Sequence, residues 1–254
     1  MKLNKKYALI AGVMGVMCLS SMAHAAIGLD RTRVIFNGDQ KSMSLNISNN
    51  NKQLPYLAQA WIDDAEGNKI TSPLVVLPPV QRVEPGKSSQ VKIEALPAIS
   101  TLPQDRESLF YFNLREIPPK SDKPNTLQIA LQTRVKMFYR PKAIVPAKMG
   151  TPWQEQLILQ KQGATVMVKN PTPYYVTVIN AAESLKALDS KEKKEFKPIM
   201  LPPFGESALG VSANALGQRP VVTYINDYGG RPNLTFQCQG SQCHVVPNDK
   251  PATP

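Results

Sequence analysis

Residues 125–140 read Asn-Thr-Leu-Gln-Ile-Ala-Leu-Gln-Thr-Arg-Val-Lys-Met-Phe-Tyr-Arg. Leu127, Ile129 and Leu131 alternate with Thr126, Gln128, Ala130 and Gln132, so three large apolar side chains share one face of an extended chain. The pattern predicts one long strand over Thr126–Tyr139, with Lys136 and then Arg140-Pro141 following the apolar row. Such a row serves a sheet core, or it serves as a rail on which another protein completes its own sheet.

Outward from this stretch the same period recurs. Met43, Leu45 and Ile47 alternate with serines and Asn46, and Pro55–Ile62 sets Tyr56, Ala58, Ala60 and Ile62 opposite Leu57, Gln59 and Trp61. Phe110, Phe112 and Leu114 alternate with Leu109, Tyr111, Asn113 and Arg115 in a strand that stops at Pro118-Pro119. Leu74–Leu77 ends at Pro78-Pro79, which cannot donate ladder hydrogen bonds. Asp63 and Asp64 fall in what reads as an acidic, solvated turn.

Beyond Pro146 a second set of strands is expected at Trp153–Leu159, Thr165–Lys169, Tyr174–Asn180, Phe196–Met200, Val221–Ile225 and Leu234–Cys238. Only residues 181–195 carry a locally helical pattern, and their charge suits an exposed loop equally well. Short strands without amphipathic crossover helices predict an all-β chain of two β-sandwiches, divided near residues 141–147.

The first 25 residues have the form of an export signal. Lys2, Lys5 and Lys6 precede the apolar run 8–19, and Ala23-His24-Ala25 supplies small residues for cleavage, so the mature chain is expected to start at Ala26. The formal charge of +11 falls by three lysines on removal of this leader. The remaining cations are scattered and accompany no nucleic-acid motif. Cys238 and Cys243 are the cysteines of the mature chain, and an oxidising compartment predicts a disulfide across the Gln239–Gln242 turn.

Catalytic chemistry is missing from the sequence. His244 is the one histidine of the mature chain, and there is no Ser-His-Asp set, phosphate loop or metal-ligand cluster, so no enzyme activity, cofactor or metal is expected. What remains is recognition through strands and charge. Arg33 can form a bidentate bond to a terminal carboxylate if the topology brings it beside Lys136. The plain alternative is two solvated surface charges.

Ordered blocks along the whole mature chain resemble the periplasmic pilus-assembly chaperones of the chaperone–usher pathway. They are Leu29–Arg33, Asn51–Tyr56, Leu102–Pro118, Leu127–Pro141, Asn170–Tyr175 and Tyr224–Pro232. The resemblance implies two immunoglobulin-like sandwiches in a boomerang arrangement: a leader over 1–25, a donor-strand domain over 26–144 and a second domain over 145–254. It implies a periplasmic protein that lends its last first-domain strand to pilus subunits and delivers them to the outer-membrane usher. Leu127, Ile129 and Leu131, with Asn125 as an outer position, would fill the subunit groove. Arg33 and Lys136 would hold the subunit's C-terminal carboxylate, with Arg134 as a rival to Lys136 on the same strand face.

Glu107, Arg140 and Asp227 match an inter-domain ionic network, and Pro55, Leu57, Pro79 and Val80 match an usher-facing patch. Nucleic acid is not an expected partner, and self-association of the client-free molecule through its donor surface is left open by the sequence. The competing class is a secreted structural immunoglobulin-like protein such as a pilus subunit or adhesin, which would lack its own closing strand.

Overall fold

The computed structural model describes residues 25–146, 152–188 and 196–246. The expected leader therefore lies outside the described residues apart from Ala25, as does most of the link after Pro146 and the latter half of the 181–195 segment.

The first domain contains β1 (Ile27–Leu29), β2 (Arg33–Asn37), β3 (Ser42–Asn49), β4 (Tyr56–Asp63), β5 (Lys69–Ile70), β6 (Leu74–Leu77), β7 (Val80–Val83), β8 (Ser88–Ala95), β9 (Ser108–Ile117) and β10 (Gln132–Arg140). One sheet has the order β1-β3-β8-β6, and the other has β2-β10-β9-β4-β5 with β7 beside β4. The chain changes sheets across Asp30–Thr32, so β1 closes one layer and β2 the other.

Alternation places the core. Val34 and Phe36, Leu45 and Ile47, Ala58, Ala60 and Ile62, Phe110, Phe112 and Leu114, and Met137 and Tyr139 all point between the layers and are buried. Their odd or even neighbours face outward, which is the two-residue period expected of strands that cover one core face. Buried Asn49 pins the turn after β3. Its amide Nδ2 donates to the carbonyls of Leu54 at 2.9 Å and Val83 at 3.0 Å, fixing the segment that carries Pro55 and Leu57.

The expected strand over Thr126–Tyr139 is shorter in the structure. Pairing begins at Gln132, and residues 125–131 run outside any strand. The Glu116 N–H reaches the Leu131 carbonyl at 3.0 Å, but no ladder continues backward from there. Period two alone does not distinguish a strand in its own sheet from an extended segment awaiting one. The apolar row has no facing core in this domain, which is why it stays out of the ladder.

The second domain holds β11 (Ile158–Gln162), β12 (Thr165–Lys169), β13 (Val176–Ala182), β14 (Ile199–Leu201), β15 (Glu206–Ser212), β16 (Val221–Ile225), β17 (Asn233–Gln239) and β18 (Gln242–Val245). Strand β17 serves both layers: Asn233–Thr235 pair with β16, and Phe236–Gln239 pair with β18. A separate core forms around Leu159, Val168, Val178, Leu209, Val222 and Phe236. The Cys238–Cys243 disulfide joins directly opposed residues of the β17–β18 hairpin.

Two further expectations are corrected. Trp153–Gln156 is a 3-10 turn rather than the start of a strand, because Trp153 leaves the ladder to stack on Tyr174 at 4.4 Å between ring centres. Asp63 is buried at the end of β4 rather than solvated, since its carboxylate accepts from Trp61 Nε1 at 2.9 Å and Asn113 Nδ2 at 2.8 Å. The helical pattern near 181–195 yields one described turn, α1 (Leu185–Leu188); α2 (Ala213–Leu216) follows β15.

Candidate functional site

Strand β2 runs parallel to β10, with Arg33 directly opposite Lys136 and Asn37 opposite Arg140. Directly opposed residues share a sheet face. The outer face of β2 and β10 therefore carries Arg33, Ile35 and Asn37 beside Lys136, Phe138 and Arg140, while Val34, Phe36, Met137 and Tyr139 face the core. Two residues separated by about a hundred positions in sequence meet because the fold pairs the first-domain edge strand with its last strand.

Arg33 is buried. Its Nη1 donates to the Ile225 carbonyl of the second domain at 3.3 Å, and its guanidinium lies 5.9 Å from the Phe138 ring centre. Burial lowers the Arg33 pKa from its ordinary value, with Asp227 and Glu107 opposing the shift. Burial also lowers the Lys136 pKa, and repulsion from Arg33 adds to it. Two neighbouring cations, Arg33 buried and Lys136 half-buried, form a site whose charge an incoming carboxylate would relieve. Arg134 lies one pleat away, but its Nη2 sits 3.5 Å from Asp63, whereas Lys136 has no ion-pair partner among the described residues. This contrast favours Lys136 over its rival.

The edge ahead of this pair is open. Residues 132–135 pair with β9 on one side, but β2 joins β10 only from Lys136 onward. A foreign strand laid in the vacant lane and ending in a carboxylate at Arg33 and Lys136 must run parallel to β10. The side chains preceding this lane are exposed: Leu127 by 84%, Ile129 by 65% and Leu131 by 42%. Asn125 occupies a left-handed turn with φ 54° at the outer end of the segment, and the Gln128 amide reaches back to the Pro119 carbonyl.

Arg140 joins the domains. Its Nη2 lies 2.7 Å from Glu107 Oε1, and its Nη1 lies 2.8 Å from Asp227 Oδ2. Glu107 Oε2 also accepts from the Tyr175 N–H at 2.7 Å. Burial pushes the Glu107 carboxyl up to about 7, against the pull of Arg140 and the Tyr175 N–H. The Arg140 guanidinium, although desolvated, is held above its ordinary value by Asp227 and Glu107.

Aromatic rings enclose this trio, with Trp153 at 4.8 Å and Tyr174 at 5.0 Å from the Arg140 guanidinium. Phe138 meets Tyr175 at 5.4 Å. The enclosing aromatics were missed in the sequence, although Tyr174 and Tyr175 stand in the Asn170–Tyr175 block. Nearby, a Cβ on Gly229 would lie 2.4 Å from Thr32 Oγ1, and its φ of 82° also suits glycine.

Leu57 and Val80 lie on the outer face of adjacent strands, offset by one pleat because Val80 opposes Gln59. Both are exposed, Pro79 is exposed beside them, Pro55 is half-buried, and Leu54 and Leu77 widen the apolar area.

Residues 26–145 match the model of the pili and flagellar-assembly chaperone PapD N-terminal domain, and residues 152–250 match that of the pili assembly chaperone PapD C-terminal domain. The chain is 57% identical to the chaperone protein PapD of Escherichia coli over 226 residues, covering 89% of this chain and 92% of that one. It is 43% identical to the chaperone protein PmfD of Proteus mirabilis, covering 95% of each chain. The solved structure of the periplasmic chaperone SfaE is similar with a TM-score of 0.63 at 30% identity, covering 82% of this chain and 98% of that one. With both sandwiches matched and the relatives spanned nearly end to end, the chain belongs to the PapD family of periplasmic pilus-assembly chaperones.

Proposed function

We propose that the open lane beside β10, the exposed row before it and the Arg33–Lys136 pair are the working parts of subunit capture. The protein is a periplasmic, non-catalytic chaperone that binds pilus subunits by donor-strand complementation and delivers them to the outer-membrane usher. The observation that carries the residue assignment is the break in pairing at Lys136. A vacant strand lane ends on two cations, and an unburied apolar row leads into it.

In this reading the subunit's last strand enters the lane parallel to β10, and its terminal carboxylate docks on Arg33 and Lys136. Leu127, Ile129 and Leu131 pass into the subunit's groove, with Asn125 at the outer end. Backbone pairing gives affinity without demanding a particular client sequence, while the carboxylate fixes register. Glu107, Arg140 and Asp227 hold the second domain against the floor of the cleft, where the Ile225 carbonyl steadies Arg33. Pro55, Leu57, Pro79 and Val80 form the apolar surface offered to the usher, on strands that leave the donor edge free.

Charge reversal tests the assignment. Arg33→Glu and Lys136→Glu should each leave the empty chaperone folded by thermal melt and abolish recovery of subunit–chaperone complexes from the periplasm. Normal complex recovery with either folded variant would refute the carboxylate anchor.

A further inference from the structure

The outer face of the larger first-domain sheet continues beyond the anchor as a cationic surface. Register places Lys136 opposite Tyr111, Arg134 opposite Asn113, and Gln132 opposite Arg115. Trp61 lies opposite Asn113 on the next strand, and Asp63 opposite Tyr111. All these side chains therefore share the face that carries Arg33 and Lys136.

Two arginines on this face are held in place, Arg134 beside Asp63 at 3.5 Å and Arg115 with no carboxylate partner among the described residues. The Arg134 guanidinium lies 3.8 Å from the Tyr111 ring centre, and that of Arg115 lies 5.1 Å from the Trp61 ring centre. A polar chain running from the surface inward holds Arg115: Arg115 Nη2 donates to Gln132 Oε1 at 2.8 Å, Gln132 Nε2 to Asn113 Oδ1 at 2.9 Å, and Asn113 Nδ2 to Asp63 Oδ2 at 2.8 Å. Asn113 is wholly buried. The one nearby carboxylate, Asp63, already accepts from Trp61 and Asn113, and it stands 3.5 Å from Arg134. Arg115 has no carboxylate partner among the described residues.

An ordinary solvated face leaves its long cations free to move or pairs them with neighbouring acids. Here an aromatic ring beside each fork, with the Gln132–Asn113 amides behind Arg115 and Asp63 beside Arg134, fixes the forks in advance, which lowers the entropy lost when they meet a planar carboxylate. The surface is also continuous with the anchor, since Arg134 is two residues, or about 6.7 Å, from Lys136 along β10.

We infer that Arg115 and Arg134 form a second docking surface for the captured subunit, recognising aspartate and glutamate side chains on the flank that settles over this sheet. The inference rests on the donor-edge and anchor reading above. Its role is to draw an acidic subunit flank toward the sheet while the donor row seeks the groove, so it acts chiefly on the rate of capture.

The probe is a pilus subunit recovered from the wild-type periplasmic complex, denatured off it and presented in refolding buffer. Its association is followed by stopped flow at about 20 mM and about 500 mM salt, where charge screening differs several-fold. The Arg115→Gln, Arg134→Gln double variant should associate about tenfold more slowly at low salt, with the gap closing at high salt. The double lysine variant, which keeps both charges, should recover most of the rate.

Should the double glutamine variant melt early, Arg115→Gln alone serves, because Arg115 is exposed and the same readout applies at smaller size. A folded glutamine variant with the wild-type rate and salt dependence overturns the inference. Arg33→Glu run in parallel separates the two readings. Its loss of binding beside an unaffected Arg115→Gln variant would sink this surface alone, whereas its normal binding would sink the anchor.

Discussion

Alanine at Ile129 is expected to separate donor function from stability. The side chain is 65% exposed in the free protein, so truncation should change the unfolding free energy by no more than about 0.5 kcal/mol. In the complex the same atoms must leave water. Ile→Ala removes about three carbons, each worth about 0.8 kcal/mol when fully buried. Scaled by the fraction still to be buried, the loss is about 1.5 kcal/mol, or roughly a tenfold weaker complex.

The same arithmetic gives about 2 kcal/mol for Leu127→Ala, whose side chain is 84% exposed, and about 1 kcal/mol for Leu131→Ala at 42%. The affinity losses should therefore rank Leu127, then Ile129, then Leu131, while the cost to the free protein should run in the opposite order, least for Leu127→Ala and most for Leu131→Ala. Titration of a refolding subunit against each variant, beside calorimetric melts of the empty proteins, reads both quantities. A melting temperature that drops with Ile129→Ala, or an affinity that does not, would show that the row serves its own domain.

Two titrations follow from the buried charges. Because burial and Arg33 lower the Lys136 pKa in the free protein, carboxylate binding should favour the protonated amine and take up a proton. Subunit affinity then falls as pH rises below the ordinary lysine range; Lys136→Arg should flatten that fall, and parallel affinity profiles would refute the linkage. Glu107 is raised from 4.5 to about 7, so the folded state binds its proton more tightly than the unfolded chain does. Its contribution is complete below pH 4.5 and is lost as pH rises through about 7. Melts of Glu107→Gln across this window should therefore decline less than those of the wild type, and identical slopes would exclude Glu107 as the source.

Much of the fold was legible because its core strands face water on one side. In Met43–Ile47, Tyr56–Ile62 and Phe110–Leu114 the core-facing apolar residues fall on every second position, and all but Met43 and Tyr56 at the ends are buried, while Leu57, Trp61 and Tyr111 stand on the outer face. Glu206–Ser212 escaped notice because its inward residues are small or widely spaced, with Leu209 the one large buried side chain. Arg33 and Lys136 were identifiable through family blocks, but their adjacency is a product of parallel pairing between distant segments. Arg115 was an ordinary strand residue in the sequence and Arg134 stood out there only as a rival to Lys136; the rings beside them and the buried Asn113 show both as fixed cations.

The pleat of β10 explains why one strand can carry two unlike tasks. Lys136 and Arg134 point outward, while Val135, Met137 and Tyr139 point into the sandwich. Continued backward in the same register, Leu131, Ile129 and Leu127 fall on the side of Met137, and Gln128 and Ala130 on the side of Lys136. In the proposed mode a subunit that accepts this row joins its own interior to the chaperone's core, while its terminal carboxylate reaches cations on the opposite face. A slip of one residue would bring polar side chains into the groove and move the carboxylate from its partners together. Charge and packing thus reject the same misregistered state, and neither has to do so alone. The open lane has a second consequence for the proposed mode: because no strand among the described residues fills it, occupation by a subunit would break no internal ladder, and the free energy of pairing would go to capture rather than to displacement.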